Sequence, residues 1–484
     1  MKINNMRRSP SIKSLRILLI IILTGFILTN CGENPIKRMI IFTQISPDEI
    51  SFDSLTGGNW RYPGKSRIVA VDRANPGKIY KILTDDFYSA RAPEMSFDGT
   101  RMLFSGRRSE DSPWQIYELT LWKNKIRQVI SKTENCTDPA YLPDDRIVFS
   151  SMPADEDSLS GHVLYTCGLD GCCLQRITFH PHSEFAPAML EDGRLVVTSW
   201  QIYPATGSPM YLSYRPDGTK EELYYRSIHT GWLPGKIRET GDGQIVFVET
   251  ENSSMKNGKL VSLYRGRPLS SRKELSGNIE GSFYSIFPGP DGKYIVSYSP
   301  PGENLFGIYE FDPNRGKLDQ KIFEDPVFYS IDPVIAIPRQ MPRNLPSEVI
   351  GEKTTGLLMC MNSDLSDTPA ANDEKARFIR VTGMNGIISE IPVEKDGSFY
   401  VELTADSPIR LMTLNADGEI LGGPCSWIYM RPNERRGCIG CHEDPELAPV
   451  NIVADAIKKM PVEVVIPASR HAGEGSKGHS QIDE

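Results

Sequence analysis

Ser96–Ser105 reads SFDGTRMLFS, and the same pattern returns at Leu142–Ser150 (LPDDRIVFS), Leu190–Ser199 (LEDGRLVVTS), Thr240–Glu249 (TGDGQIVFVE) and Gly289–Ser299 (GPDGKYIVSYS). Each copy opens with a D-G or D-D turn and runs into an apolar, β-branched strand, the signature of a hairpin corner followed by a buried strand. The turn aspartates are Asp98, Asp144, Asp192, Asp242 and Asp291, spaced by 46, 48, 50 and 49 residues. Five residues before each turn stands Pro93, Pro139, Pro187, Ile237 or Ile286. Further strand-like runs follow each copy, as at Gln115–Leu121 and His162–Thr166. A period in the forties with room for four strands per unit predicts a β-propeller, whose blades bury their faces against one another. The alternatives at this period are another all-β repeat or a tandem of sandwiches.

Five units are explicit, and a sixth is expected from the two ends of the region. Asp332-Pro333 repeats the strand opening of Asp138-Pro139, and its partner is expected to be Arg38–Ile45 (RMIIFTQI), followed by Ile68–Asp72 and Lys78–Thr84. Such a shared blade leaves no unpaired edge. The propeller is therefore expected to span 38–342, and its turn-plus-strand pattern resembles the repeats of TolB-type propellers.

Beyond the linker Arg343–Glu352 the pattern changes. Apolar runs at Thr354–Met361, Phe378–Thr382, Ile387–Val393, Ser398–Leu403 and Ile409–Leu414 alternate with the turns Asn385-Gly386, Asp396-Gly397 and Asp417-Gly418. This is the pattern of a small β-sandwich-like domain over 353–466. A short helix is expected at Ile452–Met460, and the polar stretch 467–484 is expected to be a disordered tail. The fold class is thus all-β: a six-bladed propeller, then a small sandwich-like domain.

That second domain carries the chemistry. Cys438-Ile439-Gly440-Cys441-His442 is a C-x-x-C-H motif, in which two thiols add to the vinyl groups of a haem and the adjoining histidine ligates the iron. A zinc half-site would need a second ligand pair, which the sequence lacks. A thioredoxin-like dithiol would need an α/β setting. One covalent haem c is therefore expected, held by Cys438 and Cys441 with His442 as axial ligand. The sixth ligand is open among His180, His182 and His229, a methionine such as Met430, or water. Trp427, Tyr429 and Met430 either shield the ring or are plain core.

Export agrees with that chemistry. Lys2, Arg7, Arg8, Lys13 and Arg16 precede the apolar run Ile17–Leu28, which is short for a membrane span and suited to a signal peptide. It ends in Leu28-Thr29-Asn30-Cys31-Gly32, similar to a bacterial lipobox with Asn30 bulkier than usual, so residues 1–30 are read as a lipoprotein signal and Cys31 as the lipidated residue. The alternative is ordinary cleavage with Cys31 a bystander. The chain is expected in the periplasm or at the cell surface, membrane-anchored. Nine cysteines suit an oxidising compartment; Cys167 with Cys172, across a hairpin turn, and Cys360 with Cys425 are candidate disulfides. The other cysteines are Cys136 and Cys173. Forty glycines and 36 prolines fit many short strands, and a net charge of −8 with signs interspersed gives no footprint for nucleic acid.

The repeats, the block D-G-S-F-Y-V-E-L at Asp396–Leu403, P-I-R-L at Pro408–Leu411 and W-I-Y-x-R-P-x-E-R-R-G-C-x-G-C-H-E from Trp427 to Glu443 together resemble the hydrazine synthase alpha-subunit family. The resemblance spans the propeller and the haem-binding middle domain and implies a redox role. It also implies where this chain departs. The family's enzyme has two C-x-x-C-H motifs where this sequence has one, and a tyrosine implicated at its iron is replaced here in the run Glu443, Asp444, Pro445, Glu446. Hydrazine synthesis is therefore not expected to carry over. Two function classes remain: a mono-haem c redox protein with a redox partner, either passing electrons or acting as a haem-dependent oxidoreductase, and a cell-surface propeller scaffold in which the haem is accessory. No G-x-S-x-G elbow, P-loop or dinucleotide fingerprint supports other chemistry. Around the propeller mouth, Asp86, Glu134, Asp138 and Glu184 are expected beside His180, His182 and His229, as a ring able to bind a metal or polar ligand or as solvated loop residues.

Overall fold

The computed structural model describes residues 39–49, 61–152, 161–205, 207–227, 232–251, 257–365, 374–440, 446 and 451–465. Among these the regular elements are strands and two short 3-10 turns, the second at Asp455–Lys458 within the segment expected to be helical. None of the described helices is long and apolar enough to cross a membrane.

Six four-stranded antiparallel sheets follow one another between Met39 and Ile335. The repeated turn-and-strand units form the second strands, at Arg101–Arg107, Arg146–Ser151, Leu195–Gln201, Gln244–Glu249 and Tyr294–Ser299. The sixth blade joins the ends of the region. Tyr329–Ile335 is its innermost strand and Met39–Ile45 lies beside it, with Ile45 opposite Tyr329 and Ile40 opposite Ile335. Met39–Ile45 also pairs along its whole length with Ser66–Asp72. A strand hydrogen-bonded on both sides cannot fray, and this one is wholly buried.

The innermost strands share a defect. Ala92, Asp138, Ala186 and Asp332 each precede a proline, and each has a left-handed φ between 52° and 55°. The proline has no N–H to give the ladder, and it drives its predecessor out of the right-handed region. Each of these strands therefore bulges, as between Arg91 and Glu94 or between Thr137 and Ala140. Two of the four positions hold aspartate, which tolerates this backbone better than most residues. The bulges line a cavity on the axis.

The linker does not hang free. Arg339 N donates to Phe97 O and Arg343 N to Glu191 O, so the chain crosses the D-G corners of two blades. A Cβ at Gly193 would lie 2.6 Å from Arg343 O, which explains a glycine there beyond its φ of 95°. The second domain is two four-stranded sheets, one holding Thr355–Cys360, Phe399–Thr404, Arg435–Cys438 and Val462–Val464, the other Phe378–Gly383, Gly386–Pro392, Ile409–Leu414 and Ile420–Gly422. Their shared core includes Leu358, Ile379, Val381, Val401 and Met430.

Two cysteine pairings expected from the sequence are not made in this way. Cys167 is buried and Cys172 exposed, both as thiols. Cys360 stands in register with Cys438, while Cys425 accepts a hydrogen bond from Leu411 N in the other sheet.

Candidate functional site

The strand Arg435–Cys438 is an edge, and it runs parallel to Thr355–Cys360. Met361 N donates to Cys438 O at 2.9 Å and Asn362 N to Ile439 O at 3.0 Å, so the pairing continues into the motif. A Cβ at Gly440 would stand 2.4 Å from Leu365 O, so the motif's second spacer position has no room for a side chain. Ser363 N bonds to Gly397 O, and Asp396 Oδ2 accepts from Asp455 N, which gathers these segments at one end of the sheet. There Cys438 is half-buried, and Leu365, which abuts Gly440, exposes 45% of its surface. A partly exposed cysteine with an uncovered leucine against the same motif fits a covalently attached apolar macrocycle. Cys441 and His442 lie outside the described residues, as do Cys31 and His229.

The residues leading into the motif fix the domain to the propeller. Trp427 Nε1 donates to Tyr203 O at 2.8 Å, and Arg431 Nε to Asp217 O at 3.2 Å. The Tyr429 hydroxyl reaches Gly218 O at 2.9 Å and Ile177 O at 3.2 Å. Its ring is wholly buried among Leu164, Ile177, Leu212 and Tyr214, in the core between two blades. Glu434, also wholly buried, accepts from Lys220 N at 2.9 Å and binds Arg436, which in turn lies 3.9 Å from Glu221. Past the motif, Glu446 accepts from Leu269 N and Ser270 Oγ, both at 2.6 Å. The C-x-x-C-H segment is thus bracketed by contacts with three successive blades. Met430 faces the other way, into its own domain's core.

His180 and His182 lie between the blades, not at the axial mouth. They are almost wholly buried, their rings 3.9 Å apart. His180 Nε2 bonds the Tyr214 hydroxyl at 2.9 Å, and that hydroxyl donates to Glu184 at 2.6 Å. His182 Nδ1 bonds Ser199 Oγ at 3.1 Å. His180 also touches Tyr429 edge-on at 5.4 Å between centroids. Burial pushes His182 down to about 3, and burial with the neighbouring ring lowers His180. Burial raises Glu184 to about 7 and Glu221 to about 8, the latter against the pull of Arg436.

At the axis the sequence reading captured Asp138 and missed its neighbours. Asp138 pairs with Arg61 at 2.6 Å in a buried bridge, and Asp332 lies 3.4 Å from Arg91. Burial opposes ionisation of Asp138, but Arg61, Arg91 and Lys236 outweigh it and hold its carboxyl low. His162, the histidine near this mouth, meets Tyr62 at 2.5 Å and packs on Phe185, and burial pushes it to about 3. Phe185, Trp200, Trp232, Tyr284 and Phe306 form an aromatic cluster beside it. Asp86 and Glu134 are peripheral, paired with Arg108 and Lys132. Among the described residues no group of three or more His, Cys, Asp or Glu is arranged to hold a metal ion.

Residues 361–443 match the family model of the hydrazine synthase alpha subunit middle domain, a match that ends one residue past His442. Hydrazine synthase subunit alpha of Kuenenia stuttgartiensis is 24% identical, over 85% of this chain and 66% of that protein. The chain is similar to the hydrazine synthase alpha subunit over most of its own length. The solved hydrazine synthase of Kuenenia stuttgartiensis superposes with a TM-score of 0.73 at 22% identity, over 87% of this chain and 71% of that one, and so shares the fold. TolB from Acinetobacter baumannii aligns over 63% of this chain and 67% of its own at 14% identity, with a TM-score of 0.42. This chain spans just under two thirds of its curated relative's length, with its similarity to that relative running through both the propeller and the domain of the motif.

Proposed function

We propose that the protein is an exported, lipid-anchored, mono-haem c-type redox protein whose propeller carries and braces the haem domain. The observation that supports this most is Cys438 at the end of an edge strand, opening a C-x-x-C-H motif within the matched middle domain. Cys438 and Cys441 would hold the haem and His442 its iron. Bound there, the haem would supply one-electron redox chemistry. The chain's own part is to fix the motif's backbone against Met361 and Asn362 and to anchor both flanks to the propeller. Placement outside the cytoplasm belongs to the same proposal, since the signal and Cys31 would supply the anchor and a redox partner protein would meet the haem there. Hydrazine synthesis is not proposed: identity with the relative is 24%, over 66% of its length.

The sixth coordination position stays open among His180, His182, His229, a methionine such as Met430, or water. An optical spectrum of the haem-loaded protein tests the role. A low-spin spectrum indifferent to CO indicates a filled sixth site and electron transfer; a high-spin spectrum that shifts with CO indicates an open iron and an oxidoreductase. If His180 fills that site, His180→Ala converts the first spectrum to the second; an unchanged spectrum removes His180 from the iron.

A further inference from the structure

Past the bulges, the innermost strands open into another pocket. Met95, Met189, Arg238, Phe287 and Ile335 line it from five of the six innermost strands, and the start of the linker lines the remainder. The linker is seated there by its backbone, Arg339 N on Phe97 O at 2.8 Å and Arg343 N on Glu191 O at 3.0 Å, which sets Ile337 and Arg339 at the pocket. Met95, Ile335 and Phe287 are buried and Ile337 packs on them in the same core, so most of the wall is apolar.

The polar part of the wall is two guanidinium groups on one carboxylate. Arg238 Nη1 donates to Glu94 Oε2 at 2.8 Å, and Arg339 Nη2 donates to Glu94 Oε1 at 2.9 Å and to Met95 O at 3.2 Å. Arg238 also lies over the Phe287 ring and Arg339 over Phe97, at 5.1 and 4.5 Å from the centroids. A guanidinium carries five N–H groups. Arg238 therefore keeps Nε and Nη2, and Arg339 keeps Nε and Nη1, for another acceptor, and among the described residues none of these atoms is a buried donor left without a partner. Two guanidinium groups held in place, each with donors open to solvent, suit a planar anion with two acceptor oxygens. Burial would raise the Glu94 carboxyl, yet Arg238, Lys236 and Arg339 hold it at about 2, so a carboxylate is ionised in this field.

Size narrows the ligand further. The pocket is about 130 Å³, where one water needs roughly 10–15 Å³ measured in the same way. An apolar cavity of about 150 Å³ takes up benzene. A molecule near that size, with one charged end, matches both parts of the wall.

We propose that this pocket binds a compact monocarboxylate, aromatic or branched aliphatic. Its carboxylate takes N–H groups from Arg238 and Arg339, and its apolar body lies against Phe287, Ile335 and Ile337. The site is independent of the haem, and its occupant bridges the propeller to the linker.

The test is calorimetric titration of the full chain with benzoate and with 3-methylbutanoate at constant ionic strength. At least one should bind at a single saturable site. Benzamide keeps the ring without the charge and acetate keeps the charge without the body, so each should bind at least tenfold more weakly. Arg339→Gln should weaken binding at least tenfold, and Ile337→Trp, which fills the pocket from the linker, should abolish it. Arg108→Gln, at an exposed ion pair, should bind like wild type. No saturable heat with either carboxylate overturns the proposal. So does binding left unchanged by both Arg339→Gln and Ile337→Trp, which places the carboxylate elsewhere. Should these variants fail to fold, the wild type decides: benzoate at least tenfold tighter than benzamide supports the site, and equal affinities overturn it.

Discussion

The Tyr429 hydroxyl donates to the carbonyl oxygen of Gly218 at 2.9 Å, across 211 positions of sequence and from one domain into the core of the other. Tyr429 is nine residues before Cys438, so the block that introduces the haem motif is also the peg that seats its domain. Replacing it by phenylalanine keeps the ring and strands two buried carbonyl oxygens, at a cost of about 1–3 kcal/mol. Replacing it by alanine adds a cavity and should cost about 3–5 kcal/mol. Urea unfolding of the three proteins checks this; equal midpoints would mean the seam carries no stability.

Ring closure makes a second prediction. Phe42 is wholly buried in the strand that joins the chain ends, its ring 5.3 Å from Phe323. Phe42→Ala should cost about 3–5 kcal/mol, and removing Met39–Ile45 should abolish the cooperative melt of the whole propeller. A truncated protein that melts at the wild-type temperature would contradict closure by this strand.

The closed blade was legible because its signals are local: the five D-G or D-D turns, the X-Pro strand openings and the apolar run at Arg38–Ile45. The radial position of a connecting residue is not a local property. The segment between Arg176 and His182 travels from the outer strand of one blade to the inner strand of the next, and no spacing says how far inward each residue sits. His180 and His182 consequently lie between blades, while the mouth takes His162 from a third strand's approach and Arg61 from the approach to the sixth blade's third strand. The Arg61–Asp138 pair joins residues 77 apart, and nothing in either neighbourhood announces the other. The docking role of Trp427 and Tyr429 was hidden for the same reason: an aromatic that enters another domain's core reads like one that fills its own.

Stability should depend on pH in a defined direction. Glu184 and Glu221 have folded values of about 7 and 8, above their ordinary 4.5, so the folded state holds extra protons between 4.5 and those values. Stability present below 4.5 is therefore lost as pH rises towards 8. His162 and His182, lowered to about 3 from 6.5, act oppositely, adding stability as pH rises from 3 to 6.5. The two effects oppose each other between 4.5 and 6.5, and from 6.5 to 8 the carboxyls act alone. Denaturation midpoints should fall across that upper window in wild type and fall less in Glu221→Gln. A midpoint that rises there would reverse the assignment.

Anchoring through Cys31 predicts a cleaved, lipidated protein that partitions with membranes, and a Cys31→Ser form that is released or left unprocessed. Detergent phase separation with metabolic palmitate labelling reads both. Equal membrane retention and no label in either protein would exclude a lipid on Cys31.

The haem itself is tested most directly by mass. Produced with a cytochrome c maturation system, the denatured wild-type protein should carry the mass of one haem and stain for haem in a denaturing gel, and Cys438→Ala/Cys441→Ala should lose both signals. A wild-type chain that releases its haem on denaturation, or a double variant that keeps it, would contradict a covalent haem at this motif.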